Sequence, residues 1–284
     1  MEKGFHGGYW PVDEIVGRGY ATVTFCCRDV APDNHNPETA HLTGVFPCYE
    51  PATNRNDRSW ATLSAWAWGA SRVMDWIETE PTLDAKRVAV VGQSRCGKTA
   101  LLAGVTDERF AMVCSNDSGN GGAKLASIDL PKSQFYAEYA ASRFTYWFCG
   151  NFWTYFANRD RAVTQVEAFR AKYPWSPISG KLEVDAHEWI ALIAPRLVAV
   201  GSASEDDWAG PEGEFHAARL ASPAWELYGK KGLCATQYPA PMQHLKDGCV
   251  SYHLREGKHS LTAYDWKCYL DFADRHGWSV VCSF

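Results

Sequence analysis

Residues Arg87 to Gly104 read RVAVVGQSRCGKTALLAG. Four apolar residues in a row, Val88-Ala89-Val90-Val91, have the pattern of a strand buried on both faces of a parallel sheet. Helical patterning resumes over Lys98 to Ala103, so Ser94 falls in the tight turn between strand and helix. Gly92 stands two residues before it and Gly97 three after. Small residues at those places let the chain reverse closely, which leaves one hydroxyl-bearing side chain displayed at the strand end.

Two chemistries use a strand–turn–helix of this kind. A phosphate-binding loop needs four residues between its first glycine and Gly-Lys-Ser/Thr, and Gln93 to Cys96 fill that gap before Gly97-Lys98-Thr99. The other possibility is a nucleophilic serine pushed out on a strained elbow, the arrangement of α/β-hydrolases. The stretch by itself leaves both open.

The rest of the chain narrows the choice. At 284 residues, with 46% hydrophobic and 21% charged residues, it is long enough for one large α/β domain with a substantial core. A net charge of −5 gives no footprint for nucleic acid. No apolar run approaches the roughly 18–20 residues that span a bilayer, and the first residues have no apolar segment of a signal peptide. The ten cysteines lack paired C-x-x-C spacing, and several, as in AMVCSN and KCYLDF, sit among apolar residues like small core side chains. Thirteen Trp and thirteen Tyr are mostly core material, with some suited to stacking on sugar rings.

Strands and helices alternate along the chain without repeats or low-complexity linkers. Tyr20–Phe25 reads as a strand after a helix, Ser59–Glu78 as a long amphipathic helix, and Phe110–Cys114, Leu197–Gly201 and Val250–Leu254 as further strands. An aromatic insertion runs to about Tyr173, and a helix follows Leu261. The pattern predicts a mostly parallel sheet sandwiched by helices, a three-layer αβα arrangement. Residues 1–284 are read as one such domain, and with no clear strand before Tyr20 its opening strands are expected to be missing.

Chain order separates the two chemistries. A hydrolase of this type presents nucleophile, acid and histidine in sequence, each after a strand, and Ser94, an acid in SASEDDW and His259 in REGKHSLT occur in that order at those places. Phosphate transfer would want an acidic residue at the end of another buried strand, which the chain could supply, but Ser94, Arg95 and Cys96 are an unusual filling for a phosphate loop and no nucleotide-base motif follows. The expected fold is therefore that of an α/β-hydrolase. Ser94 would attack a carbonyl carbon after His259 takes its proton, and His259 would return that proton to the leaving group. The acid is read as Asp206, with Asp117 the alternative and Glu205 and Asp207 as fallbacks. Arg95, directly after the nucleophile, is placed to stabilise the oxyanion. His187 and His244 are read as residues that hold loops.

Six segments together resemble the glucuronoyl esterases of carbohydrate esterase family 15, bacterial members in particular: GQSRCGKTALLAG, NDSGNGGA, YWFCGNF, DAHEWIALIAPR, SASEDDWAGPEGEF and HLREGKHSLTAYDW. The resemblance implies hydrolysis of the ester between 4-O-methyl-glucuronate of glucuronoxylan and an alcohol such as lignin's, by a monomer needing no metal or organic cofactor. It implies an exported protein, secreted or periplasmic. It also implies that Lys98 and Trp208 contact the sugar. Many relatives carry glutamate where this chain has Asp117, one methylene shorter, and Tyr146 stands where they carry histidine. A carbohydrate acetyl esterase and a catalytically silent carbohydrate-binding domain on the same fold are the other readings.

Overall fold

The apolar run after Arg87 forms β1, Ala89–Gln93, and the helix α5, Arg95–Thr106, begins at the residue after Ser94. These belong to a computed structural model that describes residues 9–36, 38–126, 144–150 and 184–278. Earlier in the chain come α1 (Val12–Gly17), α2 (Cys27–Val30), α3 (Phe46–Tyr49) and α4 (Thr62–Ile77). After α5 follow β2 (Met112–Asn116), α6 (Ala186–Ala191), β3 (Leu197–Ala203), α7 (Pro211–Ala221) and α8 (Pro223–Glu226). The described part closes with β4 (Gln243–Leu245), β5 (Val250–Arg255) and α9 (Ala263–Arg275).

The strand order is β1-β2-β3-β5-β4. β1, β2, β3 and β5 are parallel, and the short β4 runs antiparallel to β5. Side chains alternate across the sheet, so one strand supplies two cores. Val113, Val198, Val200, Tyr252 and Leu254 point to a core shared with α6 and α7, filled by Ile190, Phe215 and Trp225. Their neighbours Met112, Cys114, Leu197 and Ala199 point the other way, onto Trp266, Leu270 and Phe272 of α9. A separate cluster joins Ala67, Ala70 and Met74 of α4 to Ala103 and Phe110. Burying each of the larger side chains stabilises the fold by roughly 1.5–3 kcal/mol. This is the αβα arrangement that the alternating pattern predicts.

Two expectations are corrected. Tyr20–Phe25 forms no regular secondary structure and is not a strand. Its β-favouring residues have no strand beside them among the described residues, and an unpaired strand gains no ladder hydrogen bonds. β1 is only half-buried, because among the described residues it is an edge pairing with β2 alone. The aromatic insertion lies outside the described residues except for 144–150, where Thr145–Trp147 form a short 3₁₀ turn.

Candidate active site

Parallel strands all present their C-terminal ends on one side, and in open α/β sheets that side carries the ligand crevice. Here the ends of β1, β2, β3 and β5 deliver Ser94, Asp117, Asp206 and His259 respectively.

Ser94 adopts φ 59° and ψ −124°, a region that non-glycine residues rarely enter. The strain is held by neighbouring contacts: its N–H donates to the Asn116 carbonyl at 2.8 Å, and its own carbonyl accepts from the N–H groups of Gly97 and Lys98. The two glycines make the turn sterically feasible. A Cβ on Gly92 would lie 2.0 Å from the Cys96 carbonyl oxygen, and one on Gly97 would lie 2.9 Å from the Ser118 Cβ. The Arg95 N–H is among the first amides of α5, which have no intrahelical acceptor and can bind an oxyanion.

Asp206 is buried and its Oδ2 lies 2.5 Å from Nδ1 of His259, whose side chain is 38% exposed. The other Asp206 oxygen accepts from the Ala209 N–H at 3.1 Å, which fixes the carboxylate's direction. A carboxylate on Nδ1 sets the tautomer in which Nε2 is the free base. Among the described residues, Ser94 and His259 are not joined by a hydrogen bond.

Asp117 reaches the same place from β2 with a positive φ of 43°. Its Oδ2 accepts from Arg255 at 3.1 Å and from the Ser260 N–H at 3.2 Å, while Oδ1 is buried without a hydrogen-bond partner. One donor atom each of Asp117, Asp206 and His259 lies within 4.8 Å of the others. Burial, with Glu214 and Asp206 nearby, lifts the Asp117 carboxyl well above the usual range despite the Arg255 guanidinium. Of the two acids read from sequence, Asp206 is the one bonded to the histidine.

Arg95 forms an ion pair with Asp33 and lies over the Trp147 ring, 5.2 Å from its centroid. Asp33 also accepts from the Tyr146 hydroxyl at 2.7 Å and from Trp147 Nε1 at 3.1 Å. Burial alone would raise the Asp33 carboxyl, but these hydrogen bonds and Arg95 hold it below its ordinary value. Tyr146 thus helps to anchor the arginine's counter-ion.

Lys98 is buried, donating to the carbonyls of Ser118 and of Asn120, the latter at 2.6 Å. Burial lowers its ammonium to about 7, with Glu214 opposing the shift. Two of its protons are engaged inside the protein, where it braces the turn after β2. Trp208, on the loop that carries Asp206, is 43% exposed. Of the loop histidines, His244 bonds Ser251 at 3.1 Å as expected of a loop-holding residue, whereas Nδ1 of His187 is buried without a partner.

Three charged residues escaped the sequence reading. Arg255, at the end of β5, donates to Asp117 and to the carbonyls of Glu256, Lys258 and Ser260, and pairs with Asp265 at 2.9 Å. Glu214 of α7 accepts from Ser118, from the Gly119 N–H at 2.8 Å and from Ser202 at 2.6 Å. Asp33 is the third. The available signal was a charged residue inside an otherwise apolar segment, as in VSYHLR.

Comparison with known proteins points the same way. A family model described as glucuronyl esterase of fungi matches residues 7–229. A carbohydrate esterase from an unknown prokaryotic organism is 38% identical over 278 residues, covering 97% of this chain and 58% of that protein. A 4-O-methyl-glucuronoyl methylesterase of Cerrena unicolor is 28% identical over 231 residues, covering 79% of this chain and 42% of that protein. Among solved structures, a glucuronoyl esterase from Solibacter usitatus superposes with TM-score 0.77 at 36% identity over 94% of this chain and 62% of its own. A family 15 esterase from a marine bacterial metagenome, described as promiscuous, gives TM-score 0.76 at 37% identity over 95% of this chain and 61% of its own. The chain therefore spans about half the length of the curated relatives it matches.

Proposed function

Because the chain belongs to the glucuronoyl esterase family, we propose that it is a serine esterase hydrolysing the ester of (4-O-methyl-)glucuronate in glucuronoxylan with an alcohol such as that of lignin. The observation that carries this reading is the His259–Asp206 pair, set at strand ends beside the strained elbow of Ser94. Nε2 of His259 takes the Ser94 proton while Oγ forms a bond to the ester carbon. The carbonyl π electrons move to oxygen, where the amide after Ser94 and the Arg95 guanidinium stabilise the charge. Collapse of that intermediate breaks the bond to the alcohol, which leaves with the proton held by His259. Water then repeats the sequence on the acyl-enzyme, releasing free glucuronate and Ser94.

Asp206 orients His259 and stabilises its imidazolium. Asp117 places the histidine loop through Ser260 and Arg255, so its influence on the reaction is indirect. Trp208 offers a face on which the sugar ring stacks, and any contact from Lys98 would use its remaining proton. Both the xylan-derived substrate and action as a monomer belong to this proposal. Among the described residues no helix is long and apolar enough to cross a membrane. The proposed setting is export from the cell, where the polymer is found.

The test is hydrolysis of benzyl glucuronate beside an aryl acetate, with Ser94→Ala as control. Cleavage of the glucuronate ester that disappears with Ser94→Ala supports the proposal. Activity on acetate alone would move the chain to a carbohydrate acetyl esterase, and a folded chain inert on both would be a binding domain.

A further inference from the structure

On β5, Tyr252 and Leu254 face the core under α7, so Ser251, His253 and Arg255 must face α9. His244 of β4 is paired directly with His253 and their rings lie 5.7 Å apart, nearly perpendicular. Cys268 stands on α9 three residues beyond Asp265, hence on the same side of that helix. Two periodicities thus converge on one spot: one donor atom from each of His244, His253 and Cys268 lies within 4.8 Å of the others. His253 and Cys268 are buried, and His244 is partly open.

The hydrogen bonds of His253 are incomplete. Its Nε2 meets Asp265 Oδ1 at 2.9 Å, while Nδ1 is fully buried with no partner. A buried imidazole nitrogen left unpaired costs about 1–3 kcal/mol. A histidine held by a carboxylate on one nitrogen and clustered with a thiol and a second imidazole has the arrangement of a metal ligand with its supporting shell.

We propose that His244, His253 and Cys268 bind a zinc ion, with water completing a tetrahedral set. Nitrogen and sulfur donors of this softness suit a d¹⁰ divalent ion rather than magnesium or calcium. Zn–N bonds of about 2.0–2.1 Å and a Zn–S bond of about 2.3 Å hold neighbouring donors roughly 3.5 Å apart, so the three would close by about 1 Å on binding. The Cys268 thiol gives its proton to bulk water as the Zn–S bond forms. Bound there, zinc would tie the β4–β5 hairpin to α9, away from the reacting bond, and it has no part in the ester chemistry.

The experiment uses the full chain, reduced and stripped with chelator, titrated with Co²⁺ as spectroscopic probe and with Zn²⁺ in competition. One equivalent of Co²⁺ is expected to give a thiolate-to-cobalt charge-transfer band and intense tetrahedral visible bands, both removed by added Zn²⁺. Cys268→Ser should abolish the charge-transfer band. His244→Ala, at a partly open position that tolerates the change, should weaken Zn²⁺ binding at least tenfold with an unchanged circular dichroism spectrum. If Cys268→Ser fails to fold, the affinity of His244→Ala decides. No stoichiometric binding by folded protein overturns the proposal. So does unchanged affinity in His244→Ala, or loss of binding in His259→Ala, which would place the ion among Asp117, Asp206 and His259.

Discussion

Replacing Asp206 by asparagine removes the charge facing His259 while keeping the side chain's shape. The wild-type contact, 2.5 Å from Oδ2 to Nδ1, is short and charge-assisted. The amide can keep its oxygen on the Ala209 N–H, which then turns NH₂ toward Nδ1. Two N–H groups cannot face each other, so the imidazole shifts to the tautomer with its proton on Nε2, where it is no longer a base for Ser94. Loss of both tautomer and imidazolium stabilisation lowers kcat by about 10³–10⁴, or about 4–5.5 kcal/mol. Asp117→Asn has a different expectation. Burial already disfavours the Asp117 anion, and the amide oxygen can still accept from Ser260 and Arg255. Its kcat should fall by no more than about tenfold, about 1.4 kcal/mol. Both variants would be assayed with saturating benzyl glucuronate, with folding checked by circular dichroism. A greater loss in Asp117→Asn than in Asp206→Asn would refute the assignment of the acid.

Asp33→Asn should release Arg95 and lower kcat roughly tenfold, about 1.4 kcal/mol, with KM nearly unchanged; a change confined to KM would mean that Arg95 binds ground-state substrate instead. Burial lifts the Glu214 carboxyl to about 7, so between its ordinary value near 4.3 and 7 the folded chain keeps a proton that the unfolded chain has lost. Stability should therefore fall as pH rises through that window, by about 3.5 kcal/mol in all, and Glu214→Gln should flatten the descent in urea titrations; an unchanged slope would count against it. Lys98, lowered to about 7, acts in the next window with opposite sign: stability rises with pH from 7 toward about 10.4, a limb that should survive in Glu214→Gln. Gly92→Ala places a Cβ against a backbone oxygen and should cost about 2–3 kcal/mol, read from the urea midpoint; a neutral result would show that the elbow can widen.

The elements that chemistry labels locally are legible in the order of the residues alone. Ser94 stands out because a strand, two glycines and a helix leave it one conformation. His259 and Asp206 stand out because each follows a buried strand in the order a hydrolase requires. Four of the strands and the two long helices fall within a few residues of their observed limits, since their periodicity reflects burial by the fold. Tyr20–Phe25 misleads because β propensity describes a side chain's suitability for a sheet and says nothing of whether a neighbouring strand exists. Arg255, Glu214 and Asp33 escape for a related reason. A charged letter in a sequence looks solvated until the fold surrounds it, and the partners of Asp33 stand 62 and 113 residues away.

Arg255 sets how this region comes apart. Its guanidinium holds the carbonyls of Lys258 and Ser260 on either side of His259, the Asp117 carboxylate after β2 and the Asp265 carboxylate at the start of α9. Opening the histidine loop alone would take two carbonyl acceptors away from a buried guanidinium, a greater cost than fraying an ordinary surface loop. The loop consequently has no inexpensive local opening of its own and exchanges its amides only when the sheet and last helix give way. Heat inactivation and global unfolding should then run as one transition, and a protease would find no separate point of entry at the catalytic base.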